Sequence, residues 1–156
     1  MFRRRPIRAL SRGRYRIDLA PAERQLLEIL APQLTQLLSE PSDDGLQRLF
    51  PPAYHEPADA ERQVEYRRLM QEDLVERHRH SLDLLVRTAQ ATELSSEELE
   101  TWLRSINALR LVLGTRLDVS EEDTPDDDLD IDHQIYYLLG YLQECAIDAL
   151  TAGGTK

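Results

Sequence analysis

Apolar positions recur at three- and four-residue spacing through most of the chain, and only its start departs from that period. There Tyr15, Ile17 and Leu19 alternate with Arg14, Arg16 and Asp18, the two-residue period of a half-buried strand. Ser11-Arg12-Gly13 supplies a turn and residues 7–10 a partner strand, so a β-hairpin is predicted over 7–19. Its arginines would face solvent, where charge also protects a sheet edge from further pairing.

Helical spacing begins behind Pro21, a residue suited to a first helical turn. Leu26, Leu27, Leu30, Leu34, Leu37 and Leu38 form its stripe, and Pro32 inside the run predicts a kink or split near Ala31. The cluster at 41–45 ends this helix, and a short helical turn over 46–50 is stopped by Pro51 and Pro52. Over 58–90 the pattern stays helical but changes phase. Tyr66, Leu69 and Met70 make one stripe; Leu74, Val75, His78, Leu82, Leu85, Val86 and Ala89 make another, so a break or bend is expected near Met70 and Gln71. Ser95 and Glu98 form a capping box for the next helix. Its face is Leu99, Trp102, Leu103, Ile106, Leu109, Leu113 and Leu117, and Leu111 and Val112 lie off that stripe. A helix apolar nearly all round runs through the middle of a bundle.

An acidic loop spans 118–132, and Asp130 or Asp132 caps a last helix over 133–151. That helix has a core face of Ile135, Leu138, Leu139, Leu142, Cys145, Ala146 and Leu150. Tyr137 and Tyr141 sit on its other side, with Tyr136 and Ile147 between. More than one apolar surface calls either for complete burial within one subunit or for a partner, most simply a second copy of the chain. The predicted fold is mainly α: a bundle of about five helices with an N-terminal β-hairpin. It forms a single domain over 1–156, with a hairpin at 7–19, a helical core at 21–117, the acidic loop at 118–132 and a C-terminal helix at 133–151.

Composition changes this picture in three places. No run of about 18 apolar residues exists, and the N-terminus lacks the apolar core of a secretory signal, so a soluble cytoplasmic protein is expected. The single cysteine, Cys145, excludes a disulfide within one chain. The net charge of −10 hides an asymmetry. Seven of the 19 basic residues are Arg3, Arg4, Arg5, Arg8, Arg12, Arg14 and Arg16, which leaves 12 basic against 29 acidic side chains in the remainder, a net of −17. Overall acidity argues against nonspecific coating of DNA. The arginine arm is nevertheless the candidate contact for nucleic acid or an acidic partner.

Candidate chemistry is sparse. Arg110 points into the apolar stripe between Leu103, Ile106 and Leu117, which predicts a buried structural ion pair with Glu65, Glu28 or Glu144. His78 and His80, two apart, face different directions on a helix and do not make a metal pair. Cys145 is expected to be buried and inert. The acidic run 126–128 lacks the alternation and glycine of a calcium loop. No phosphate loop, nucleophile elbow or zinc-protease motif occurs, so the expectation is a non-enzymatic protein with no cofactor or metal. Tyr136, Tyr137 and Tyr141 are the candidate interface.

Stretches spread over the chain resemble an actinobacterial family of about this length, long known only as a domain of unknown function. Some of its members are described as the oxidative-stress transcriptional regulator AosR. They are Phe2-Arg3-Arg4 with Tyr15, the stretch 46–54, the stretch 65–74 and the stretch 102–117, whose Leu-Arg-Leu-Val-Leu-Gly-Thr-Arg-Leu core is the most specific. The resemblance implies a cytoplasmic stress-response regulator acting through a sigma factor or RNA polymerase. Family members tend to be encoded beside a Clp-protease adaptor, which implies a rival role in regulated proteolysis. Met70 stands where a helix-capping threonine is expected, and the solitary Cys145 removes any thiol switch made within one chain.

Overall fold

Two-residue alternation folds as predicted. In this computed structural model, which describes residues 5–40, 46, 49, 60–117 and 130–154, β1 (Ile7–Ala9) and β2 (Arg14–Ile17) form an antiparallel hairpin. The turn runs through a 3-10 segment in which Arg12 and Gly13 both take positive φ, 61° and 70°. Ile7 pairs with Ile17, and both side chains are buried. A third strand, β3 (Glu93–Ser95), adds to β2 with Tyr15 opposite Leu94, so the sheet order is β1-β2-β3. The sequence reading placed Ser95 at a helix start only. It does both jobs, because three residues are too few for a period to show.

Four helices occupy the described residues. α1 (Pro21–Leu37) starts at Pro21, with the Ala20 N–H donating to Glu23 Oε1 at 2.8 Å. It is one continuous helix, so the predicted split near Ala31 does not occur. Pro32 lies on the exposed side, while Leu27, Ala31 and Leu34 stay buried and hold the helix across the missing N–H. α2 (Ala60–Thr88) is likewise unbroken across Met70 and Gln71. The change of phase is a change of environment, not a break. From Glu61 to Met70 every described side chain is exposed, and from Leu74 onward the second stripe packs on the body. This continuity removes one of the five helices expected. The short turn at 46–50 lies mostly outside the described residues, as does the acidic loop through 129; Leu46 and Leu49 are buried.

α3 (Ser96–Leu117) carries the predicted capping box: the Ser95 N–H donates to Glu98 Oε1 at 2.8 Å, and the Glu98 N–H to Ser95 Oγ at 3.1 Å. α4 (Ile131–Gly153) is capped by Asp130, whose Oδ1 accepts from the His133 N–H at 3.0 Å. α3 is the central element, packed on α4, α2 and α1 and on the sheet. Its Trp102 is fully buried and donates from Nε1 to Thr88 Oγ1 at 2.6 Å, tying α3 to the end of α2. The core joins Leu27, Leu34, Leu85, Leu99, Ile106, Leu139 and Ala146 with the inward face of the sheet. β1 lies against α4, where a Cβ on Gly153 would overlap the Tyr15 hydroxyl.

Candidate functional site

Cross-strand register decides what the arginine arm looks like. Arg8 sits opposite Arg16, and Asp18 lies beside both: Arg8 Nη2 donates to Asp18 Oδ2 at 2.6 Å, and Arg16 Nε is 3.6 Å from Oδ1. The hydrogen bond from Arg8 lowers the Asp18 pKa, and the charges of Arg8 and Arg16 lower it further. Arg14 is 3.8 Å from Glu93 on β3, and Arg5 donates to Asp148 on α4 at 2.9 Å. Arg12 is exposed at the turn. Arg3 and Arg4 lie outside the described residues. The hairpin is therefore largely neutralised by carboxylates of its own fold. Exposed pairs of this kind contribute at most about 1 kcal/mol each, so a stronger anion can displace them.

The buried charge lies elsewhere than predicted. Glu65 is exposed on the outer half of α2 and forms no buried pair with Arg110. Arg110 is half-buried; its guanidinium carbon sits 5.1 Å from the centre of the Tyr136 ring, and Nη1 reaches Gln143 Oε1 at 3.5 Å. Gln143 donates in turn to Asn107 Oδ1 at 3.0 Å. The ring face and an amide take the place of the expected carboxylate, because Gly140 lets the Arg110 stem lie against α4. The deeply buried arginine is Arg24, 8% exposed. It donates to the carbonyls of Ile17, Leu19, Ala89 and Ala91 at 2.9, 3.3, 3.0 and 2.7 Å. This clamp joins β2, the start of α1 and the end of α2. One signal was legible: Arg24 shares the spacing of Leu27, Ala31, Leu34 and Leu38, all buried.

Of the three candidate interface tyrosines, Tyr136 is only 8% exposed and packs edge-on against Tyr137. It belongs to the interior under Arg110, so of the three it offers no exposed surface to a partner. Tyr137 is half-buried, and Tyr141 is exposed beside Ile147 on the outer side of α4. Cys145 is buried, and burial pushes its thiol pKa up. Burial of His78 pushes its pKa down. Among the described residues no group of three or more His, Cys, Asp or Glu could hold a metal, and no helix is long and apolar enough to cross a membrane.

Among the described residues, two further apolar surfaces stand out. A groove of about 400 Å³ runs between α1, α3 and α4, floored by Leu30, Leu34, Leu37, Leu109, Val112 and Leu113, with Glu40 and Arg116 also lining it. The second is the outer half of α2, where Tyr66, Leu69 and Met70 are 64%, 58% and 43% exposed.

No curated protein and no solved structure matches the chain. A family model does match, over residues 4–150. By that match the chain belongs to the family described as a domain of unknown function, DUF2017.

Proposed function

We propose that this is a non-enzymatic cytoplasmic regulator that works by binding another protein, in the manner of the oxidative-stress transcriptional regulators its sequence resembles, with a sigma factor or RNA polymerase as the partner. The leucine-lined groove between α1, α3 and α4 carries this reading. Its floor offers apolar contact without convergent titratable groups, and Glu40 with Arg116 can orient a peptide by charge. A helix or turn presenting two or three apolar side chains fits a groove of that volume. Direct DNA contact by the arginine hairpin is a secondary part of the reading, since most of its described guanidinium groups already face carboxylates.

The test is a binding titration of the purified protein against sigma factors and core polymerase. Leu113→Glu, which places a charge on the half-buried groove wall, is expected to weaken complex formation at least about tenfold, the effect of losing an apolar anchor and stranding a charge. Failure of the unaltered protein to bind either partner would overturn the reading.

A second reading, an adaptor in Clp-type regulated proteolysis, is favoured by one observation: Tyr141 and Ile147 are both exposed on the outer side of α4. It predicts capture of the Clp ATPase, lost in Tyr141→Ala. Capture that is indifferent to this change would count against it.

A further inference from the structure

We infer that the outer half of α2 is a self-association surface on which two copies of the chain pack antiparallel about a two-fold axis near residues 67 and 68. A helical segment of this length with every described side chain from Glu61 to Met70 exposed gains nothing from the body of its own chain. It continues the packed half of α2 without a break, so its apolar side chains are held out and remain open to a partner surface. Its apolar stripe also has helical order. At 100° per residue, Arg62, Tyr66, Leu69 and Asp73 fall within a sector of about 60°, with Met70 about 40° beyond it on the Tyr66 side.

Charge selects the occupant. The stripe has two apolar layers, Tyr66 and Leu69, bracketed by Arg62 on one side and Asp73 on the other. A second copy laid antiparallel sets Tyr66 on Leu69 of the other copy twice, and Arg62 on Asp73 of the other copy twice. A parallel copy would set arginine on arginine and aspartate on aspartate, which repel. The stripe is thus complementary to itself in one orientation only, as a two-fold interface requires. Asp73 is held by Arg77 at 2.9 Å in the single chain, an exposed pair that can exchange at little cost. Glu65 and Glu72 lie on the far flank, and Glu72 is 3.7 Å from its own Arg68. Three exposed apolar side chains per copy fall short of a standard interface, so a dissociation constant of roughly 10–100 µM is expected.

Sedimentation equilibrium of the full chain between about 5 and 500 µM tests this. The unaltered protein is expected to pass from monomer to dimer in that range. Arg62→Asp places like charges in both outer layers and is expected to weaken the dimer at least about tenfold. Arg62→Asp combined with Asp73→Arg restores opposite charge only in the antiparallel arrangement and is expected to bring association back to near the parent value. Both positions are exposed, and an unchanged midpoint of thermal unfolding of the body confirms that each variant is folded. A monomer throughout the range, an Arg62→Asp variant as well associated as the parent, or a double variant no better than the single would each overturn the inference.

Discussion

Arg24 holds four main-chain carbonyls, one in β2, one in the link from β2 to α1 and two just after α2, so removing its guanidinium leaves several buried acceptors without a donor. Arg24→Met is expected to cost about 3 kcal/mol in urea unfolding. Arg24→Lys should recover little of it, because a single ammonium cannot span the fork. An Arg24→Met chain as stable as the parent would show the clamp to be dispensable. His78 works through pH. Burial lowers its folded-state pKa below the ordinary 6.5, so the unfolded chain binds the proton more readily. Stability contributed by neutral His78 is complete above about pH 6.5 and falls as pH drops from there to the lowered pKa. His78→Gln should flatten that part of the stability profile; an unchanged slope would place its cause elsewhere. Cys145 is buried with a raised pKa, so native protein should resist iodoacetamide and label only on unfolding. Rapid labelling of the folded chain would contradict its placement.

At the scale of elements, local chemistry was read well wherever it acts over three or four residues. The Ser95–Glu98 box, the Asp130 cap and the Pro21 start all stand where the sequence puts them. Pro32 does not split α1, because a lost hydrogen bond on the outer side of a helix is outweighed by the buried stripe beneath it. The phase change in α2 marks where the helix leaves the body, and a helix that does so produces the same pattern of letters as one that bends. β3 was missed because its identity as a strand depends on β2 lying beside it. Closure of the sheet against α4 depends on Gly153. Gly153→Ala is expected to cost about 1–3 kcal/mol, since the buried Tyr15 ring cannot swing aside. Hydrogen exchange should then be faster in β1 and the last turn of α4; unchanged protection there would mean that the contact relaxes freely.

For the whole molecule, the charge asymmetry of the sequence is real but its consequence is altered by folding. Asp18, Glu93 and Asp148, which are 10, 79 and 143 residues from the arginines they meet, gather around the hairpin. Fluorescence anisotropy with duplex DNA should accordingly show binding at low salt that is lost by about 150 mM, as for a few phosphate contacts. Binding that persists at that salt would mean that the arm engages DNA despite its carboxylates.

Periodicity, capping residues and composition are enough to set the helical class, the hairpin and the starts of α1, α3 and α4, because each rests on interactions between near neighbours along the chain. Family membership rests on the match over residues 4–150. Only the tertiary structure decides which arginine is buried, which carboxylates neutralise the arm and which apolar stripe is left uncovered. Those outcomes depend on distant segments meeting: Arg24 is buried because α2 ends over it, and Arg110 finds a tyrosine ring because Gly140 lets the helices close. Tyr66, Leu69 and Met70 stay in solvent because the body of the bundle ends before it reaches them.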